Sequence, residues 1–365
     1  MNFAMSGKYY YIWFMKKDKL YIKDLTQEEL QEFLVENGEQ KFRAQQIFNW
    51  MYNHLVTDFN EMENLPKSLR EKLTEHFVLQ TLQIKTTQES PSTGTTKYLF
   101  ETYDGRNIEA VLIPEGERNT LCISTQVGCP LDCKFCATGL VGYKRNLSVG
   151  EIVDQYLLIA KDKGKTSVTN IVYMGMGEPL LNFDNTMKSL ELFTSEINTG
   201  ISRNRITVST SGIPHKIKEL ADSELRVKLA LSLHSGYEDV RSQIMPINKK
   251  YSLADTMEAV KYYARKTKTR VTFEYVMLKD VNDRDEDVNA LRKICSQVPS
   301  KINIIPFNSI AHMDPGGFSA TLIPTSQDQI EKFADKLRNA NITVLLRQTQ
   351  GDDIAAACGQ LAAKN

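Results

Sequence analysis

Three cysteines, Cys129, Cys133 and Cys136, fall inside the segment GCPLDCKFCATG (128–139). Their C-x3-C-x2-C spacing lets three thiolates from one loop converge on a single inorganic centre, and soft sulfur ligands select zinc or an iron–sulfur cluster. A closed structural zinc takes four ligands, so three thiols mean one of two things. Either a fourth ligand comes from elsewhere, such as Cys122 or a histidine, or one coordination position is left open. Cys122 lies on an apolar run and Cys358 sits among small residues in QGDDIAAACGQL. Taken singly, each reads as a small buried residue, and Cys295 in LRKICSQV reads as helix core. The six cysteines are bunched and lack the dispersed framework of a secreted domain, which favours metal or redox chemistry in a reducing, cytosolic compartment.

The elements that must position these thiols change in kind along the chain. Thr26 and Glu29 form a capping box ahead of Leu30, Phe33 and Leu34, and Asn37-Gly38 closes that helix. KFRAQQIFNWMYNHL and a segment from Pro66 through LREKLTEHF add two more helices, so residues 22–80 read as a small three-helix unit. KYLFETYDGRNIEAVLIP then alternates with period two around Tyr-Asp-Gly-Arg, the mark of a hairpin, and residues 81–118 read as a connector sheet. From residue 119 to 361, TLCISTQ, TNIVYMGM, RITVSTS, VKLALSLH, VTFEYVML, INIIPFN and ITVLLRQ read as strands separated by amphipathic helices. This βα repeat predicts an α/β fold, a partial TIM-like barrel with active groups at the C-terminal strand ends. The triad, GMGEP (175–179), STSG (209–212), Ser232 with His234, and Asn308 all fall at such ends.

The triad, with Phe135 before its last cysteine and its place after the first barrel strand, resembles the radical S-adenosylmethionine (SAM) signature. That likeness implies a 4Fe-4S cluster on Cys129, Cys133 and Cys136, with the fourth iron chelated by SAM. It further implies that Gly177 and Glu178 meet the amino end of SAM, and that Ser209, Ser232, Leu233, His234 and Asn308 serve its carboxylate, ribose and adenine. Together with DIAAACGQL, residues 98–361 resemble the RlmN/Cfr family of radical SAM RNA methyltransferases, and the likeness runs from about residue 22. The resemblance carries the methylated catalytic cysteine over to Cys358, the second catalytic thiol to Cys122 in TLCISTQVGC, and the proton acceptor to Glu109. Glu109 interrupts the apolar run IEAVLIP, and burial there would raise its pKa toward a general-base value.

The family chemistry implies two SAM molecules per methylation. One methylates Cys358; the second is reductively cleaved to a 5′-deoxyadenosyl radical that takes hydrogen from that methyl group. The carbon radical adds to adenine, and Cys122 then attacks the sulfur of Cys358, leaving a disulfide for an external reductant. Of the two branches, one methylates carbon 2 of adenosine in 23S rRNA, at the peptidyl transferase centre, and in tRNA beside the anticodon. The other, Cfr-type, methylates carbon 8 and confers resistance. GEP and STSG, where the resistance branch tends to show GEA and STIG, place this chain with the first. A zinc-stabilised RNA-binding protein without catalysis is the rival from another class.

Lys plus Arg and Asp plus Glu each total 45, so no global basic field advertises RNA. Local basic stretches do exist: KYYARKTKTR (261–270), Lys41 with Arg43, and Lys67, Arg70 and Lys72. They are candidates for phosphate contact, with a solvated helix face as the plain alternative. Residues 1–21 read as an extension whose apolar run, 9–15, is too short to span a bilayer and lacks a cleavage pattern, and Met15 is a candidate natural start. A monomer is expected, with 23S rRNA and tRNA as partners, an electron donor for the cluster, and no membrane. The Gly-Gly segment HMDPGGFSATLIP is expected to be a mobile loop at the mouth.

Overall fold

The structure is a computed structural model that describes residues 19–363; the apolar run 9–15 and the candidate start at Met15 lie outside the described residues. The capping box forms as expected: Glu29 N–H donates to Thr26 Oγ1 at 3.1 Å, and Thr26 N–H donates to Glu29 Oε2 at 2.6 Å. It opens α1 (Gln27–Glu36), which packs with α2 (Arg43–Tyr52) and α3 (Lys67–His76) around Leu30, Leu34, Ile47, Met51, Leu69 and Leu73, all fully buried. This unit begins earlier than the sequence suggests. Leu20–Tyr21 pairs in parallel with Phe77–Val78, and the Tyr21 ring is buried.

Ten strands make one continuous sheet whose neighbours follow strict chain order. The first three, β1 (Leu82–Glu89), β2 (Thr96–Thr102) and β3 (Asn107–Glu115), run antiparallel to one another, and β3 pairs antiparallel with β4 (Arg118–Cys122). From β4 onward every pairing is parallel: β5 (Asn170–Tyr173), β6 (Ile206–Thr210), β7 (Lys228–Ser232), β8 (Val271–Met277), β9 (Ser300–Pro306) and β10 (Val344–Leu346). All seven expected barrel strands are present. β1 and β10 are the two edges and do not pair, so the barrel is open, as the partial-barrel reading requires. The connector is not a separate sheet, because β1–β3 extend the barrel sheet itself.

Helices α4 (Val149–Lys163), α5 (Phe183–Thr194), α6 (Pro214–Asp222), α7 (Leu253–Thr267), α8 (Asp285–Cys295) and α9 (Gln327–Asn339) connect the parallel strands. Helix α4 is buried on every side from Val149 to Ala160, so its polar residues need internal partners. They have them. Arg145 pairs bidentately with Glu151 at 2.7 and 2.8 Å, Lys23 pairs with Asp154, and Gln155 bonds the Ser124 backbone at 2.8 and 2.9 Å. Asp24 accepts from Gly150 N–H at 2.7 Å at the start of α4, so the helical unit is docked through residues 23 and 24. Cys295 is partly buried against the core, as its helical setting suggested. The Gly-Gly segment is built from two short 3-10 turns, Ala311–Met313 and Gly317–Thr321, with Ser319 and Leu322 buried.

Much of the candidate RNA-binding charge is used inside the fold. Lys72 donates to Asn37 O and pairs with Glu39, Arg70 donates to Asn60 O, and Arg43 donates to Gln46 and Asn64. Lys261 pairs with Glu258 and Lys266 with Asp222. Lys67 is exposed and makes a long contact to Glu71 at 3.7 Å.

Candidate active site

The triad loop leaves β4 and is pinched at its base. Gln126–Val127 and Arg145–Asn146 pair antiparallel as a clip, and inside it Gly128 (φ +74°) lies against Gly142. A Cβ on Gly128 would stand 1.7 Å from Gly142 O, so only glycine fits this neck. Within the loop, Cys136 N–H donates to Cys133 O and Lys134 N–H to Ile244 O. Cys129, Cys133 and Cys136 all line one cleft of about 1040 Å³. Burial pushes the Cys129 thiol up to about 12 and also raises the Cys133 thiol, with the neighbouring thiols adding to the shift. An inorganic cation is what would deprotonate such thiols.

Among the described residues, no three Cys, His, Asp or Glu side chains come close enough to share one metal ion. A structural zinc needs its thiolates within about 2.3 Å of one point. A four-iron cluster takes one thiolate on each of three irons, so its ligands stand farther apart. Three soft sulfurs around an open cleft are a donor set that fits an iron–sulfur cluster.

The remaining wall comes from the other strand ends: Met174, Gly175 and Gly177 after β5, Ser209–Ser211 on and after β6, Ser232 and His234 at the end of β7, Glu274 on β8, Ile305–Asn308 at the end of β9, and Arg347 after β10. Gly177 (φ +98°) packs against Gln126, whose Cβ would lie 2.5 Å from an added Cβ, so this glycine also serves a close approach between loops. Glu178 is buried and accepts from Ser211 N–H at 2.8 Å and Leu180 N–H at 3.1 Å; burial raises its pKa against those donors. Val276 N–H donates to His234 Nδ1 at 3.0 Å, so the ring proton resides on Nε2. Burial holds His234 down to about 3, and Phe135 meets its ring edge-on at 4.6 Å. Leu233 differs from the expectation: its side chain is fully buried outside the cleft wall, and it contributes a carbonyl that accepts from Arg241 Nε at 3.2 Å.

Cys122 and Cys358, both free thiols, line a second, smaller pocket. Cys358 also lines the triad cleft, as do Asn308, Arg347 and Met174, so the two spaces meet at this sulfur. Burial pushes the Cys122 thiol up to about 12, with Cys358 adding to it and Arg347 opposing. Burial likewise raises Cys358, and Arg347 again opposes. The segment around Cys358 is sewn down on three sides. Asn308 Nδ2 donates to Cys358 O at 3.0 Å, Ala137 N–H to Gly359 O at 2.7 Å, and Thr138 Oγ1 to Leu361 O at 2.6 Å. Gln360 Nε2 donates to Ser309 O at 3.0 Å, and Ser90 Oγ donates to Asp353 at 2.8 Å.

Glu109 is buried but is not in either cavity wall. Its Oε2 accepts from Ala362 and Ala363 N–H at 2.9 and 3.0 Å, and Lys97 lies 3.3 Å from Oε1. The isolated carboxylate expected from the sequence is thus a clamp on the C-terminal segment, because the tail supplies donors that local reading does not foresee. Two wall residues, and Arg241 buried behind the wall, were also missed. Glu274 breaks the apolar run VTFEYVML just as Glu109 breaks its own, and Arg347 follows the last strand, so both carried a readable signal. Arg241 carried none.

Residues 21–79 match the family described as the ribosomal RNA large subunit methyltransferase N-terminal domain, and residues 123–291 match the radical SAM superfamily. The chain is 44% identical over 353 residues to a probable dual-specificity RNA methyltransferase RlmN of Christiangramia forsetii, covering 96% of this chain and 97% of that one. It is 44% identical over 339 residues to the protein of the same description from Bacillus velezensis, covering 92% and 91%. A radical SAM methyltransferase from Sphaerobacter thermophilus superposes with a TM-score of 0.89 at 39% identity, covering 94% of this chain and 99% of that one.

Proposed function

The chain belongs to the RlmN family and is a radical SAM RNA methyltransferase, and from that premise we propose that it methylates carbon 2 of adenosine in 23S rRNA and tRNA through Cys358 and Cys122. The observation that carries this reading is the position of Cys358, in the wall of both the triad cleft and the Cys122 cavity. A thiol that must collect a methyl group beside bound SAM and then be attacked by a second thiol needs access to both spaces.

In this reading Cys129, Cys133 and Cys136 hold the 4Fe-4S cluster, and Gly177, Glu178, Ser209, Ser232, His234 and Asn308 form the SAM cleft. When bound, the cluster would supply the electron for reductive cleavage of SAM. The chain's own residues do the rest. Asn308 fixes the backbone at Cys358, which holds the methyl-bearing sulfur still between the two cavities. The neutral ring of His234 offers only Nε2–H, a donor for an acceptor on the nucleoside. Arg347 opposes part of the upward push that burial gives both thiols, toward the thiolate that Cys122 needs to open the adduct. Glu109 accepts a proton from the reacting base only after it releases the amides of Ala362 and Ala363. Two SAM molecules per turnover, an external electron donor, a thiol reductant for the Cys122–Cys358 disulfide and a cytoplasmic, monomeric enzyme complete the proposal. No helix among the described residues is long and apolar enough to cross a membrane.

The test is the mass of the tryptic peptide spanning residues 348–364, from protein made in cells with active cluster assembly. One added methyl group on Cys358 is expected, and an unmodified peptide would sink the reading. Nucleoside analysis of treated RNA should then show 2-methyladenosine; 8-methyladenosine would move the chain to the other branch.

A further inference from the structure

Arg241 is fully buried, the largest side chain among the described residues to be so. It lies on the short helix Glu238–Ile244 and spends its fork on neutral oxygens. Nε donates to Leu233 O at 3.2 Å, Nη2 to Ser211 O at 2.6 Å and Ser232 O at 3.2 Å, and Nη1 to Asn248 Oδ1. It has no ion pair among the described residues. The Glu238 carboxylate, one turn away, is turned to Asn248 Nδ2 at 2.9 Å and Leu253 N–H at 3.0 Å. A buried cation whose partners are all neutral is costly, because carbonyl dipoles offset only part of the lost hydration. Burial lowers its pKa only to about 10, so the charge remains at neutral pH. Glu238 acts on the guanidinium only at a distance, and no carboxylate among the described residues sits within ion-pair reach of it, so the fork has room for a further anion.

The geometry says where. Lys134 N–H, in the triad loop, donates to Ile244 O at 2.9 Å, so the Arg241 helix and the triad loop are one bonded unit. Arg241 Nη2 bonds the carbonyls of Ser211 and Ser232, two residues of the cleft wall. Three thiolates around a core of two positive charges leave one net negative charge, and one-electron reduction adds a second. We propose that Arg241 is the fixed counter-charge of the iron–sulfur centre, held by the ends of β6 and β7 so that it favours the reduced, more negative cluster. The inference rests on the cluster reading above. Charge near a cluster is one of the terms that set its potential.

The experiment is a redox titration followed by electron paramagnetic resonance, on anaerobically reconstituted protein without SAM or RNA, with dithionite supplying the electron. Arg241→Gln should lower the ratio of reduced to oxidised cluster at a given potential by about tenfold or more, equivalent to about 59 mV. Arg241→Lys, which keeps the charge, should stay within about threefold of the parent. Asn248→Asp keeps Arg241 and its fork but pairs the charge, and should shift the ratio in the same direction as Arg241→Gln, so the test survives if the Gln variant does not fold. A ratio unchanged in Asn248→Asp, or a Lys variant that falls as far as the Gln variant, would overturn the inference and leave the proposed function standing. A parent protein that takes up no iron and sulfide would instead remove the cluster reading and this inference with it.

Discussion

Replacing Gly128 by alanine tests whether the neck of the triad loop sets the cluster geometry, because a second glycine provides the control. Both neck glycines have φ near +73°, but an added Cβ on Gly142 meets nothing within 4 Å, whereas one on Gly128 meets Gly142 O at 1.7 Å and Gly142 C at 2.8 Å. Gly142→Ala therefore costs only the strain of its extended positive-φ backbone (φ 73°, ψ 164°), about 1–3 kcal/mol. Gly128→Ala bears a positive-φ penalty of its own and must also push the facing backbone at Gly142 back, from 1.7 Å to the 3.0 Å or more of a real contact, a displacement of about 1.3 Å. The obstacle is backbone, so no side chain can rotate to relieve it. Cys129 is the next residue, and a shift of about 1 Å in a reacting constellation costs roughly a hundredfold in rate. The assay is iron and sulfide per chain after anaerobic reconstitution, followed by single-turnover methylation. Gly142→Ala should retain most of the cluster, while Gly128→Ala should lose most of it and at least about a hundredfold in rate. Equal iron retention in the two variants would refute the argument, since it would show that backbone conformation alone governs the neck.

Cys122→Ala should leave cluster content intact and accumulate a covalent protein–RNA adduct that survives denaturing electrophoresis; free methylated RNA at the parental rate would exclude Cys122 from release. Lys23→Met strands the Asp154 carboxylate with only Thr81 for company, and should cost about 3–5 kcal/mol in urea unfolding. Adding Asp154→Asn should recover much of that loss, and a single variant within about 1 kcal/mol of the parent would deny the pair its docking role. His234 titrates near 6.5 in the unfolded chain and near 3 in the native one, so the native state favours the neutral ring. That contribution is fully present above about pH 6.5 and is lost as pH falls toward 3. Relative to His234→Asn, the parent should lose about 2 kcal/mol of stability by pH 5; parallel stability curves would show that the ring is not held neutral.

Periodicity carried the architecture well because it reports which face of an element is buried. The alternation of KYLFET and IEAVLIP located β2 and β3, and the apolar runs located all seven barrel strands. The strand-end rule then gathered the triad, Glu178, Ser209, Ser232, His234 and Asn308 into one wall, because parallel strands of one sheet all deliver their C-terminal ends to the same mouth. What periodicity does not report is the partner of a polar group far along the chain. Glu109 looked isolated because its donors, the amides of Ala362 and Ala363, lie some 250 residues away. Arg241 sat unremarked in YEDVRSQIM, since nothing local distinguishes a surface arginine from one that bonds three carbonyls and an amide at two strand ends. Leu233 matters through its carbonyl, which no side-chain pattern encodes.

The tail from Gly351 to Ala363 takes its bonds from Ser90, Lys97 and Glu109 on the antiparallel side of the sheet and from Asn308 and Ser309 beyond β9 near the opposite edge. It therefore straddles the gap that the strands leave open. Such contacts close very long loops, and their entropy is recovered only once both flanks exist. Cys358 is thus the last working part to reach its station as the molecule assembles. The contacts that fix the Cys358 sulfur depend on both flanks of the open barrel at once, while the triad loop is held by its own clip.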